Sequence, residues 1–543
     1  KGLPEIYSAD RRSEPFGKVV FAGDIVRGWD AVLLSDIAAY QNKTPETATA
    51  AWSKEAILAE NGNLIVLSDG VGAMLGGASA QEYAQSLGTL IAALKQDSSA
   101  GTVIVVTGLP YIKGQDAQLC AAYNAAIRAV ALEHNVLYAN LYRAQSQTVW
   151  TLDAELNPSE SGKLLAAGEV LQELLRTCSC LAVNATTELK ISATAPAEKT
   201  EAALEAFRAA ADADAMRKAV EDAHLGADLD LYLGFSTAVQ AKVIEELLAL
   251  DRSGIDSFEK ADMAINAVSM KVGLENRREI FSGAPFATYV AVGDSISYGE
   301  TSVNKATDGW VPLLAALVRQ AQGQPMQLIN KAISGTRMCT ITDNKMFPAA
   351  KDTVQEYIVA NNPDLITISY GINDLHAGTS LDEFITTYRG YLTEVTDGCP
   401  NAVIIVCGLS AKGGDADSGT LKIWNAAIKS LAEEFGLIYN DSYNDTRGVE
   451  WLLSDGLHPT NAGYRVMANA AFRTLCAYVD LSGQYQSGDE IEPDPIVPDP
   501  TEPQTPPQTL EQPVNPVLIG AAVVLVAAVA AVVFVILRKK KNQ

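Results

Sequence analysis

The sequence predicts an α/β protein made of two parallel-sheet domains, with a helical linker module between them and a C-terminal transmembrane helix. Three observations carry this. Short apolar runs rich in β-branched residues alternate with amphipathic stretches, the signature of βαβ units and a sheet covered on both faces. The alternation occurs twice, with matching stretches in the same order. One uncharged apolar run of 21 residues, Val517 to Leu537, stands near the end, long enough to cross a bilayer as a helix.

Bulk properties set the outer limits. At 543 residues the chain is too long for one domain, and 48% hydrophobic with 20% charged residues is a globular composition. A formal net charge of −24 argues against a nucleic-acid partner and against adhesion to anionic membrane surfaces. Seven cysteines are an odd count and too few for a disulfide scaffold, and no C-x-x-C pair marks a metal site. Their pairing is left open.

The first domain is placed at residues 15–180 and the second at 284–480. Lys18-Val-Val-Phe-Ala-Gly-Asp-Ile25 matches Thr288-Tyr-Val-Ala-Val-Gly-Asp-Ser295, and Asn63 to Gly70 matches Asp364 to Gly371. Thr102 to Leu109 matches Ala402 to Leu409, Tyr123-Asn-Ala-Ala-Ile127 matches Trp424-Asn-Ala-Ala-Ile428, and Leu156-Asn-Pro-Ser159 matches Leu457-His-Pro-Thr460. The offset is 270 residues at the first block and 301 at the second and the last. Five ordered matches read as an internal duplication. Helices are expected at Leu381 to Glu394, Thr420 to Phe435 and Ala462 to Leu475.

Between the copies, residues 195–280 are rich in Ala, Glu, Lys and Leu with helical periodicity, broken by Gly226, Gly234 and Gly254. This module is read as a small helical spacer, the preferred reading, or as a helical extension packing the two copies together. Residues 485–515 are acidic and proline-rich, a semi-rigid stalk. The apolar run 517–537 is followed at once by Arg538-Lys539-Lys540-Lys541, a basic cluster that belongs in the cytoplasm within the tail 538–543. Everything ahead of it is then expected outside the cell, on a single-pass membrane protein that meets the lipid bilayer through this helix. A chain starting at Lys1 is read as a processed or trimmed form.

Chemistry concentrates in the second copy. The apolar strand Tyr289 to Val292 stops at Gly293-Asp294-Ser295, which sets Ser295 at the carboxyl end of a strand, where ligands bind in open α/β sheets. Acyl transfer needs a nucleophile, a base, a group orienting the base, and donors for the oxyanion. Ser295 is the candidate nucleophile. His458, in Asp455-Gly-Leu-His-Pro-Thr460, is the candidate base, and Asp455 stands three residues earlier, close enough to hold the imidazole tautomer. Gly335, ending Asn330-Lys-Ala-Ile-Ser-Gly335, has a backbone N–H that a ligand can approach closely. Asn373, in Gly371-Ile-Asn-Asp374, emerges at the carboxyl edge of the next strand. With the Ser295 N–H these are three oxyanion donors. Of the other histidines, His376 is placed either lining the site or on the surface, and His134 and His224 are structural. No cofactor and no metal ligand set is expected.

Gly293-Asp-Ser-Ile296, Asn330 to Gly335, Gly371-x-Asn373 and Asp455-x-x-His458 resemble, in order, the four blocks of the SGNH (GDSL-type) hydrolase superfamily. The resemblance implies a flavodoxin-like three-layer α/β/α domain and a serine esterase mechanism. It implies Ser295 as nucleophile, Asp455 and His458 as the rest of a triad, and Ser295, Gly335 and Asn373 as the oxyanion hole. It does not choose among acylated small-molecule, glycan and lipid substrates. The first copy departs from it at every such position. Ile25 stands for Ser295, Gly72 for Asn373, Ala154 for Asp455 and Asn157 for His458, and the stretch matching Asn330 to Gly335 is expected to be missing. That copy reads as a pseudoenzyme, either binding a ligand or packing against its neighbour. The leading expectation is a cell-surface serine esterase. The rivals are a non-catalytic surface protein that binds a glycan or other ligand and, ranked low, a metal-dependent deacetylase.

Overall fold

A computed structural model describes residues 11–23, 28–110, 117–142, 158–181, 198–275, 285–339, 349–411, 419–446 and 453–481. The expected stalk, the run 517–537 and the basic tail lie outside these. Among the described residues no helix is long and apolar enough to cross a membrane.

Two five-stranded sheets form, both wholly parallel. The first holds β1 (Lys18–Ala22), β2 (Glu46–Ala50), β3 (Leu64–Leu67), β4 (Val103–Thr107) and β5 (Leu137–Ala139) in the order β2-β1-β3-β4-β5. The second holds β6 (Thr288–Gly293), β7 (Gln327–Asn330), β8 (Leu365–Ser369), β9 (Val403–Cys407) and β10 (Ile438–Asn440) in the order β7-β6-β8-β9-β10. Both orders are flavodoxin-like, reversing direction beside the first strand. β3, β4 and β9 are buried at every position, as a strand covered on both faces must be.

The two domains also share side-chain bridges. Gln41 clasps the backbone of Phe16 through both its amide atoms, at 2.8 and 2.9 Å, and Gln322 does the same to Phe286 at 3.0 and 2.9 Å. Asn124 brackets Leu109 as Asn425 brackets Leu409.

The expectation that the first copy lacks the stretch matching Asn330 to Gly335 needs correcting at its first residue, Asn330, which ends the edge strand. Its edge strand is present. Lys18 pairs with Glu46 where Thr288 pairs with Gln327, so β2 takes the place of β7. The sequence hid β2 because an edge strand needs no apolar run, and Glu-Thr-Ala-Thr-Ala is mostly exposed. The offset between the domains is 270 at β1 and β6, 281 at both the edge strand and the helix starts Gly28-Trp29 and Gly309-Trp310, and 301 from β3 onward. The second domain is therefore longer in two places: after β6 and ahead of Trp310, and between β7 and β8.

The helix Glu160–Thr177, which closes the first domain, is buried over nearly its whole length. On one side it covers β-sheet residues of its own domain. On the other, its Leu164 and Leu165 join the core of the second domain, while Ala462 and Val466 of the helix Asn461–Tyr478 join the core of the first. Buried charges at this seam are paired, as desolvation demands: Arg465 with Asp36 at 2.7 Å and Arg473 with Glu169 at 2.7 Å.

Of the two readings of the helical module, the structure fits the packing extension rather than the spacer: it is a covering layer. Its helices, among them Glu201–Ala209, Thr237–Ala249 and Phe258–Glu275, put Phe207, Val243, Ile265 and Met270 into one core with Ile127 and Val130 of the helix Ala117–Glu133. Amphipathic helices with that many apolar residues need a surface to cover. Arg128, between Asp228 and Asp262, fixes the contact. Lys429 and Glu433 of the second domain bond to Phe235 and Thr237 of the same layer. All seven cysteines are buried.

Candidate active site

β6 lies between β7 and β8, and the chain leaves it toward β7 on one side and returns in β8 on the other. That places a crevice at its carboxyl end. The three segments that follow these strands carry Ser295, Gly335 and Asn373.

β6 ends at Gly293, where a side chain would overlap Ser297 and the Ser369 carbonyl. Asp294 then caps the single helical turn Ser295–Tyr298 by accepting from the Ile296 N–H at 3.0 Å. Asp294 is almost fully buried, and burial pushes its carboxyl up to about 7. The Ile296 bond and the nearness of His458 pull against that rise, and Asp374 adds to it. Ser295 stands at the first position of the turn and is itself 7% exposed.

Ser295 Oγ lies 2.8 Å from His458 Nε2, and His458 Nδ1 lies 2.7 Å from Asp455 Oδ2. An ionised carboxylate only accepts, so Nδ1 carries the proton and Nε2 is left to accept from the serine hydroxyl. Asp455 is anchored by the loop it serves, because its Oδ1 accepts from the N–H groups of Leu457 at 2.9 Å and His458 at 2.6 Å. Partial burial works against its ionisation. The bonds from the His458 ring and backbone and from Leu457 outweigh that and hold the carboxyl below its ordinary value. The His458 carbonyl accepts from Ser454 N, and the bridge Leu453–Pro459 closes the hairpin beneath it. A hydroxyl, an imidazole and a carboxylate in series can strip a proton from the hydroxyl as it attacks.

The other two segments are tied to this turn. Ile333 N donates to Gly293 O at 3.0 Å, and Asn330 Nδ2 to Ser297 O at 3.0 Å. Gly335 has φ +82, the left-handed region that favours glycine. Asn373, in the short helix Ile372–His376, donates one side-chain N–H to Thr336 O at 3.1 Å, which fixes the amide and leaves its second N–H for another acceptor. Asp374 next to it is fully buried and accepts from Met338 and Cys339 N–H at 2.8 and 3.0 Å, locking this helix to the Gly335 loop. Sequence reasoning passed over Asp374 and Asp294, although both sit inside the quoted blocks. His376 is on the surface. His224 bonds Asp222 in the helical layer, and His134 follows a helix of the first domain, so neither belongs to this domain. Among the described residues no group of three His, Cys, Asp or Glu side chains is placed to hold a metal ion.

In the first domain Gly72 occupies the place of Asn373, in the short helix Val71–Leu75. The turn is kept, with Gly70 at φ +119 against Gly371 at +128, but there is no side-chain amide. Ile25, Ala154 and Asn157 lie outside the described residues.

A parallel α/β domain with a Ser–His–Asp series at the carboxyl edge of its first strand is a hydrolase of the serine type. Residues 291–466 match the GDSL-like Lipase/Acylhydrolase family. The second domain belongs to that family, within the SGNH hydrolase superfamily, and is a carboxylic ester hydrolase. An acetylxylan esterase of Geobacillus stearothermophilus is 25% identical over 210 residues, 34% of this chain and 91% of the relative. The crystal structure of Axe2, an acetylxylan esterase from the same organism, is 24% identical, covers 36% of this chain and 96% of its own, and has a TM-score of 0.30. A protein described as a GDSL-like lipase from Parabacteroides merdae is 20% identical over 35% of this chain and 95% of its own, with a TM-score of 0.29.

Proposed function

We propose that the second domain removes short acyl groups, acetyl foremost, from a carbohydrate through an acyl-Ser295 intermediate. The observation that carries this is the unbroken series Ser295 Oγ–His458 Nε2, His458 Nδ1–Asp455 Oδ2. Ser295 Oγ attacks the ester carbonyl carbon and its proton passes to His458 Nε2. The oxyanion is held by the N–H groups of Ser295 and Gly335 and by the free side-chain N–H of Asn373. Collapse breaks the ester C–O bond, and the departing sugar oxygen takes the proton from His458 Nε2 and leaves as a hydroxyl. A water molecule then attacks the acyl-serine by the same route and releases the acid. The choice of acetyl on a glycan is supported by the acetylxylan esterase relative, which is matched over nearly its whole length.

The first domain is, in this reading, a duplicated copy that has lost the chemistry and kept the scaffold. Its shared strand order and its paired Gln41 and Gln322 clasps support that origin. The run 517–537 with Arg538 to Lys541 behind it supports a single-pass anchor that holds the folded part outside the cell.

The test is acetate release from acetylated xylan and from p-nitrophenyl acetate by the full chain and by its Ser295→Ala variant. Activity on both substrates that vanishes with Ser295 is the expected result. Activity on the nitrophenyl ester alone would remove the glycan, and a persistently active Ser295→Ala would remove the mechanism.

A further inference from the structure

We propose that Glu300 and Thr301 form a positioning element that sets Ser295, the Gly335 loop and His458 in register. The proposal rests on the serine-esterase reading of this site. Five described residues other than glycine have positive φ, and four of them are asparagine, which tolerates that region. The fifth is Thr301, at φ +69. A β-branched residue there is strained, and Thr301 is exposed, so core packing does not impose the strain.

What these two residues touch explains why the conformation is held. Glu300 N donates to Ser295 O at 2.9 Å, tying the pair to the nucleophile turn. The Glu300 carboxylate accepts from Ser334 Oγ at 2.7 Å, directly before Gly335. Glu300 O accepts from the Tyr464 hydroxyl at 2.5 Å. Thr301 Oγ1 lies against that same carbonyl and 2.8 Å from Pro459 O. A hydroxyl has one proton. That proton can be given to the carbonyl of Pro459, the residue after His458. Farther along the loop, Val303 N donates to Asn461 Oδ1 at 3.1 Å, and Asn461 Nδ2 to Asp308 at 2.9 Å, so the histidine loop is gripped on both sides of Thr460.

This grip lies in one of the two places where the second domain is longer than the first, between β6 and Trp310. The first domain has only four residues between Gly23 and Gly28, too few for such a loop. The extra length thus accompanies the chemistry. A displacement of about 1 Å at a reacting pair can cost ~10²-fold in rate, so a latch of this kind affects kcat more than binding.

The experiment measures kcat and KM on p-nitrophenyl acetate, fluorophosphonate labelling of Ser295, and thermal unfolding, on the full chain. The variants are Thr301→Val, Thr301→Gly and Thr301→Ser, with Ser295→Ala as control. Thr301→Val and Thr301→Gly should lower kcat and labelling about 10- to 100-fold with KM nearly unchanged. Thr301→Gly should do so without unfolding earlier, since glycine relieves the left-handed strain. Thr301→Ser, which keeps the hydroxyl, should restore most of the rate. Losses that merely follow the unfolding temperature, or a Ser variant as slow as the Val one, would overturn the proposal. A dead Ser295→Ala beside a fully active Thr301→Val sinks the latch alone, whereas an active Ser295→Ala sinks the esterase reading beneath it.

Discussion

Asn469 donates its side-chain amide to the carbonyl of Gly168, and the two residues are 301 positions apart. That is also the offset between matching stretches of the two domains, so Asn469 touches its own counterpart. Contact between equivalent residues marks the axis of an isologous, two-fold-like interface. The mutual insertion of Leu165 into one core and Val466 into the other, again 301 apart, follows the same symmetry.

Shortening Leu165 should therefore weaken an esterase site in the other domain. A buried Leu→Ala change costs about 2–5 kcal/mol, so activity of Leu165→Ala should be lost on heating roughly 5–10 °C earlier than in the parent. Heat-inactivation curves read this directly. Superimposable curves would mean that the second domain does not depend on its neighbour.

Asp455→Asn tests what the carboxylate does. An amide in its place can donate to Nδ1 and favour the tautomer protonated on Nε2, which cannot take the serine proton. We expect kcat to fall about 10⁴-fold with KM little changed. A loss smaller than tenfold, measured by steady-state kinetics, would show that Asp455 does not hold the tautomer.

Asp294 gives the site a stability that depends on pH. Its folded carboxyl sits at about 7, raised by burial from an ordinary 3.8. Below the ordinary value both folded and unfolded chains are protonated, and the group imposes no penalty. As pH rises toward 7 the unfolded chain gives up the proton while the folded chain keeps it, so stability falls, and above 7 it levels. At ~1.4 kcal/mol per pH unit the whole effect is at most about 4 kcal/mol. Asp294→Asn, which still accepts from Ile296, should match the parent near pH 4 and exceed it at pH 8 in denaturant unfolding. Parallel pH profiles for the two proteins would contradict this.

Much of the site was legible because its chemistry is local in sequence. Gly293-Asp294-Ser295 closes a strand of four apolar or aromatic positions, Tyr289 to Val292, and Asp455 and His458 share one turn, so residue type and spacing carried the meaning. The helix Glu160–Thr177 was opaque for the opposite reason. Both its faces are buried, one against each domain, and nothing in its periodicity says which surface each face meets. β2 went unread because exposure relieved it of an apolar pattern. The sequence favoured a spacer over a packing extension for the helical layer because its partner helix, Ala117–Glu133, lies far away in the chain. Thr301 had no signal at all, since a β-branched residue is not expected at positive φ.

The seam between the domains has a consequence for dilution. Were these two folds separate chains, the mutual burial of Leu165 and Val466 would come and go with protein concentration. Joined through one chain, each meets the other at an effective concentration in the millimolar range, whatever the bulk amount. Working far from its fellows, a molecule built this way keeps its partner.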